Sequence, residues 1–309
     1  MKSFILRSHR LLYAFLLLGG IACAFPAQAG YRITTIDFPG AIITQTFGIN
    51  NQGKIAGGAS ADGVSTISFV YDAKKATFTV LPNVPGLDTS AVGINEPGVV
   101  VGAVTDLATT IQSGFILDKG AFTIFDHPGS QFFTVGRGIN NAGLVSGYAD
   151  TDGGTTVSGF IFDPKRNTFT DFLPSNFTIA HGINNKGDVV GNASLNSGDA
   201  YPGSPAGNYG FLRRSDGTIT LFRVNGVATR ARGITDAGVI TGDADGSGFV
   251  TTLAPGADFQ AVTIPAANLL TVPGALQTIP EGIGNSGNVV GIWLDGDANF
   301  HGFLAEPTK

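Results

Sequence analysis

The amino-acid sequence predicts an all-β protein built as a ring of six four-stranded units. Three observations carry this expectation: one phrase of fixed glycine spacing occurs six times, a pair of short aromatic strands follows each copy, and the two ends of the strand pattern complement each other.

The phrase is GINNKGDVVG at 182–191. Its Gly-Ile pair begins at Gly48, Gly93, Gly138, Gly182, Gly233 and Gly282, with separations of 45, 45, 44, 51 and 49 residues. A second glycine follows each after five residues and a third after nine. The isoleucine ends one strand, the polar residues and second glycine supply a turn, and the apolar pair starts the returning strand. Inside that strand the third glycine, Gly191 in this copy, permits close approach of a neighbouring backbone or aromatic ring.

After a variable gap comes an aromatic strand: SFVYD (68–72), GFILD (114–118), GFIFD (159–163), GFLRR (210–214), GFVTT (248–252) and GFLAE (302–306). A fourth strand follows as TFTVL, AFTIF, TFTDF, TITLF and, more loosely, FQAVTI. Four strands in a period of 40–50 residues is the pattern of propeller blades. A parallel β-helix uses shorter coils and has no antiparallel hairpins within each unit.

The ends fit each other. ITTIDFPGA (33–41) is similar to the fourth-strand segment FTIFDHPGS (122–130), while the chain stops at HGFLAEPTK, where a fourth strand is due. Residues 31–41 are therefore expected to complete the last unit, which removes exposed sheet edges. The result is a six-bladed β-propeller of four-stranded blades, its ring closed by the N-terminal strand. If the Gly-Ile strand is innermost, 31–41 is an outermost strand; if the returning strand is innermost, both 31–41 and 42–50 join the C-terminal hairpin.

The first 29 residues read as a secretory leader. Lys2, Arg7 and Arg10 precede an apolar run from Leu11 to Phe25, and Ala27-Gln28-Ala29 forms a small-x-small cleavage site. Cleavage after Ala29 leaves residues 30–309 as one domain, secreted, periplasmic or extracellular, with no membrane span. It also removes Cys23, the single cysteine, and with it any disulfide, thiolate metal site or cysteine nucleophile. Three of the 18 basic residues lie in the leader, so 15 face 23 acids in the remainder. Such an acidic chain without a basic run is not built for nucleic acid.

The pattern GIN-N-x-G-x-V-x-G followed by GF and FT strands resembles the HAF-type extracellular repeats of exported bacterial proteins. His301-Gly302-Phe303 stands nearest to the naming tripeptide, whereas other units have Ser-Gly-Phe or Tyr-Gly-Phe. The resemblance spans residues 30–309 and implies export and repeat type, not an activity.

Candidate chemistry lies where the repeat tolerates substitution. Immediately before each Gly-Ile stand Phe47, Val92, Arg137, His181, Arg232 and Glu281. Four ionisable groups at one side of a channel mouth could bind an acidic or hydroxylated ligand, or serve a lyase as base and charge stabiliser. They could equally pair off as salt bridges lining the channel. A second column, Asn51, Glu96, Asn141, Asn185, Asp236 and Asn285, reads as turn formers that hydrogen-bond locally.

Calcium is the one cofactor left open. Asp150 and Asp152 in DTDGGT, and Asp243 and Asp245 in DADGSG, alternate before glycine as calcium ligands do, without an EF-hand glutamate. His127, His181 and His301 occupy different template positions, which disfavours a zinc site. The long segment between Ala193 and Tyr209 carries Tyr201 and Tyr209 and reads as an exposed contact loop for carbohydrate or protein.

The sequence thus predicts a monomeric binding or scaffold module for an extracellular polysaccharide or protein. The alternative is a polysaccharide-active enzyme, a lyase before a glycoside hydrolase, because a hydrolase needs two facing carboxylates and the column offers only Glu281.

Overall fold

The protein is described by a computed structural model over residues 30–172, 174–196 and 206–308. Residues 1–29, with Cys23 and the expected leader and its cleavage site, and Tyr201 lie outside the described residues. Among those described, the only helices are two three-residue 3-10 turns, and none is long and apolar enough to cross a membrane.

In chain order the strands are β1 (Tyr31–Ile36), β2 (Ile43–Ile49), β3 (Lys54–Ser60), β4 (Ile67–Asp72), β5 (Thr77–Val80), β6 (Leu87–Ile94), β7 (Val100–Asp106), β8 (Gln112–Asp118) and β9 (Ala121–Phe125). There follow β10 (Thr134–Ile139), β11 (Val145–Thr151), β12 (Thr156–Asp163), β13 (Thr168–Phe172), β14 (Thr178–Ile183), β15 (Val189–Leu195), β16 (Gly207–Arg213) and β17 (Ile219–Val224). The chain continues with β18 (Thr229–Ile234), β19 (Ile240–Ala244), β20 (Ser247–Thr251), β21 (Phe259–Val262), β22 (Gln277–Ile283), β23 (Val289–Leu294) and β24 (Phe300–Pro307).

These strands form an all-β propeller arrangement of antiparallel meanders. Each meander runs from a Gly-Ile strand through the returning strand to the GF strand. The expected uniformity is not met. Hydrogen bonding groups the strands into five sheets, of eight, four, five, three and four strands, rather than six of four.

Two departures explain the count. A single parallel pair, Ile43 with Phe300, joins the runs β22–β23–β24 and β2–β3–β4–β5, and β1 pairs antiparallel with β24 from Tyr31 opposite Pro307 to Ile36 opposite Gly302. The second departure is β21, the loose FQAVTI segment. It does not return to β20 but adds in parallel to the outer edge of β17, Leu221 opposite Phe259. Asn225 fixes the crossing, donating to the Ile264 carbonyl (3.0 Å) and accepting from its amide (2.8 Å).

The glycine columns have a steric cause. A Cβ on Gly191 would run into the Ile179 carbonyl and lie 2.6 Å from the Phe211 ring, so this strand position must be bare. The Gly-Ile glycines sit against the next Gly-Ile strand. A Cβ on Gly48, Gly93, Gly138 or Gly182 would stand 2.7–2.8 Å from the carbonyl of Val92, Arg137, His181 or Arg232 in turn. Gly282 faces the Phe47 carbonyl in the same way. The core is divided into clusters, four of which contain the GF phenylalanines Phe115, Phe160, Phe211 and Phe249.

Candidate functional site

A β-bulge aims the variable column. In all six Gly-Ile strands the register with the returning strand shifts at the residue before the glycine, for example between Gly136 and Gly138 around Arg137. The extra residue is left out of the ladder and its side chain is re-aimed. Phe47, Val92, Arg137, His181, Arg232 and Glu281 line one axial cavity of about 120 Å³, together with the Gly-Ile residues and the turns that follow.

The four ionisable members do meet, and they meet each other. Glu281 is the hinge of the cluster: one carboxylate oxygen accepts from Arg232 Nη1 (2.6 Å), the other from Arg137 Nη2 (3.1 Å). Arg232 also donates through Nε to Asp243 (3.0 Å), whose second oxygen takes Arg230 (3.2 Å). Both carboxylates are 1% exposed. A guanidinium only donates, so Arg137 Nε donates to His181 Nδ1 (3.2 Å), which leaves the imidazole proton on Nε2 to bond Asn192 Oδ1 (3.0 Å).

His181 is thereby fixed as a neutral side chain. Burial pushes its pKa well below the ordinary imidazole value, and the Arg137 and Arg232 charges push further the same way. Three arginines against two carboxylates leave one positive charge in excess. Arg137 is the most open of the four column members, and its guanidinium lies 5.9 Å from the centre of the Phe47 ring.

The second column corrects the sequence reading. These residues do not bond within their own turns; each side chain accepts the amide of the preceding repeat. Asn51 N–H donates to Glu96 (2.7 Å), Glu96 to Asn141 (3.1 Å), Asn141 to Asn185 (2.9 Å) and Asn185 to Asp236 (2.8 Å). Asp236 N–H then donates to Asn285 (2.8 Å), and Asn285 to Asn51 (2.9 Å), which returns the cycle to its start. The local turn is made instead by the asparagine of GIN. Asn140 Oδ1 accepts from Ala142 and Leu144, while its amide donates to the Asn184 carbonyl of the next repeat (3.1 Å).

A third column escaped the sequence reading altogether. Thr44, Thr89, Thr134, Thr178, Thr229 and Thr278 stand four residues before each Gly-Ile and are buried. Each hydroxyl accepts an amide from the chain just ahead of its strand, as from Phe38, Val84 and His127 (2.9–3.2 Å). The threonine is identical in all six copies, so the signal was present in the sequence.

The remaining candidates are placed elsewhere. Asp150 is buried and accepts from Ser130 and from the amides of Gln131, Phe132 and Phe133; these bonds outweigh burial and hold its carboxyl below the usual range. Asp243 is taken by the arginines, and Asp152 and Asp245 occupy turn positions with positive φ. Among the described residues no group of three or more His, Cys, Asp or Glu could hold a metal ion. Tyr209 is fully buried in β16, beneath the Arg223 guanidinium at 4.2 Å and edge-on to Phe259, so it is a core residue and not part of an exposed contact loop. Strand alternation turns it inward opposite Ala193.

His301 forms a separate polar cluster. Its Nδ1 meets Asp37 (2.9 Å), its Nε2 meets Asp295 (3.3 Å), and its ring stacks on Trp293 at 4.5 Å. Burial pulls its pKa down, but the two carboxylates outweigh burial and leave it raised. Its stabilisation is therefore complete below the free imidazole value of about 6.5 and is lost as the pH rises through the higher folded value. His301→Gln should lower the unfolding free energy measured with urea at about pH 5.5 by on the order of 1 kcal/mol, and much less at about pH 9. Equal losses at both would show that the charge plays no part.

No protein-family model and no curated protein matches the chain. Among solved structures, TolB from Acinetobacter baumannii aligns at 10% identity and a TM-score of 0.49, over 96% of this chain and 67% of that one. A candidate gluconolactonase aligns at 12% identity and a TM-score of 0.39, over 92% and 94%. Neither likeness bears on what this chain binds or does.

Proposed function

We propose that this protein is an exported binding module, a propeller of six HAF-type repeats that presents its loops to an extracellular polysaccharide or protein and performs no reaction of its own. The observation that carries the proposal is that the ionisable column is consumed by itself. Glu281 is shared between two arginines, and His181 is buried, neutral and bonded at both nitrogens. A general base needs a reachable lone pair, and His181 Nδ1 spends its own on Arg137. The cavity of about 120 Å³ also falls below the roughly 300–1,000 Å³ of ordinary ligand pockets.

The six-membered ring is part of the proposal. Six Gly-Ile strands line one cavity, the Asn285 amide reaches Asn51, and β1 supplies a fourth strand beside β24. Export rests on the basic, apolar and small-residue pattern of residues 1–29.

The test is a glycan array together with a depolymerisation assay on residues 30–309, with and without calcium. Binding without new reducing ends or unsaturated products is the expected result. Turnover that disappears in Arg137→Met or His181→Gln would make the protein an enzyme and overturn the proposal.

A further inference from the structure

The two faces of the molecule differ in composition. The turns after the Gly-Ile strands are tied together by the asparagine cycle and therefore share one face, with the turns after the GF strands beside them; this is the turn face. The loops after the returning strands lie at the opposite ends, next to the loops that lead into the Gly-Ile strands. Their backbones are joined there, as Gln112 N–H to Phe132 O (2.9 Å), Val157 N–H to Asn176 O (3.0 Å) and Thr278 N–H to Gly246 O (2.9 Å). This is the loop face.

All six lysines among the described residues, Lys54, Lys74, Lys75, Lys119, Lys165 and Lys186, lie in or directly beside turns of the turn face. Not one lysine or arginine occurs among the described loop residues of the other face. That face instead carries seven aspartates in its described loops, among them Asp62, Asp245 and Asp297, with Asp106 at the end of β7 beside them. The Asp62 carboxyl is held at about 2 by the amides of Ser65 and Val64, and the Asp106 carboxyl is held low by Ala108 and Thr109, so both keep their charge in mild acid. The nearest arginines are turned inward, Arg230 onto Asp243 and Arg223 over Tyr209 with a bond to the Ala206 carbonyl. His127 is buried against Asp171, and His301 lies between Asp37 and Asp295.

The loop face also holds the exposed apolar side chains. Of the ten large exposed hydrophobics among the described residues, seven are in its loops, led by Leu107 (66% exposed), Val64 (62%) and Ile42 (57%). The other three lie in the outer strands β5, β9 and β21, and none is in the turn face. Apolar side chains gathered on one face of a soluble protein mark a contact surface. Surrounding carboxylates with no cation among them specify the sign of what they meet.

We propose that the loop face docks a protein partner whose contact segment combines lysine or arginine with apolar side chains. This rests on the binding-module reading above and names its face and the chemistry of its partner. A second copy stacked head to tail would offer lysines but none of the exposed large apolar side chains. An anionic lipid surface or an acidic polysaccharide would be repelled by the aspartates.

The probe is an amphipathic helical peptide of leucine and lysine, with its leucine and glutamate counterpart as control, titrated against residues 30–309 by fluorescence anisotropy and followed by amide exchange. The lysine peptide should bind, weaken with salt and protect residues 61–66 and 107–111 from exchange. Val64→Ser with Leu107→Ser, and separately Asp106→Asn with Asp245→Asn, should each weaken binding about tenfold or more, while Lys74→Gln with Lys75→Gln should not. Absent binding, protection confined to the turn face, or affinity indifferent to both loop-face variants would overturn the proposal. So would loop-face binding of phosphatidylglycerol vesicles or an acidic polysaccharide. A glycan held by the turn face would sink this inference and leave the binding-module reading standing.

Discussion

Glu281→Gln should cost about 3–5 kcal/mol of unfolding free energy, the range for removing one partner of a buried ion pair. For a chain of this size that corresponds to a fall in Tm of roughly 5–9 °C. The reason is that one carboxylate is the shared partner of both Arg137 and Arg232 in a site where its own side chain is 1% exposed. Glutamine keeps the shape but turns an amide NH₂ toward one of two guanidiniums. The effect is a broken partnership, not a missing charge as such. Arg137→Met with Glu281→Leu should therefore recover most of the loss, because Arg232 keeps Asp243 and the column already holds Phe47 and Val92 in two repeats. Chemical denaturation of the three proteins checks this. A Glu281→Gln variant as stable as wild type would mean that the network contributes nothing.

Gly282→Ala should be of similar size, about 3 kcal/mol or more. Its Cβ would be driven into the Phe47 carbonyl, a backbone atom that cannot swing aside, where the last repeat meets the first. Gly143→Ala supplies the comparison. That residue has φ of +88° in a turn with nothing within 4 Å of a Cβ, so it suffers only backbone strain of about 1–2 kcal/mol. If the two alanines cost the same, the junction between the ends is not tightly packed.

Much of this design is legible in the sequence because repetition acts as its own alignment. The glycine columns announced a hairpin and, at the third glycine, a close approach, and Gly191 meets its neighbours for that reason, whereas the approach of Gly282 to the Phe47 carbonyl needed the fold. The N-terminal strand was readable from likeness to a later segment, and it pairs with β24. The variable column could be located, but whether Arg137, His181, Arg232 and Glu281 touch depends on the bulge that re-aims them. A bulge is one residue of register, invisible to a pattern of period two.

Other features needed the fold. Asn51 and its equivalents have the composition of turn residues, and only the spacing between neighbouring strands decides that their side chains cross to the next repeat. The parallel addition of β21 to β17 depends on the seven residues from Thr252 to Asp258, which carry the chain over to a neighbouring edge. Tyr209 looked exposed because its segment is rich in Gly, Pro and Ser, yet strand alternation in β16 places it in the core. The contrast between lysine and aspartate faces likewise appears only when the turns are sorted by the direction of their strands.

The central claim is that the ionisable column is a structural plug and not a catalytic set, and the imidazole of His181 reports on it directly. Nitrogen-15 NMR of histidine-labelled protein, titrated from about pH 8 to pH 5, should show a single neutral tautomer. Nε2 should be protonated and Nδ1 should accept a hydrogen bond, with no titration while the protein stays folded. A midpoint near or above the ordinary value of about 6.5, with rapid proton exchange, would reveal an accessible base and contradict the account.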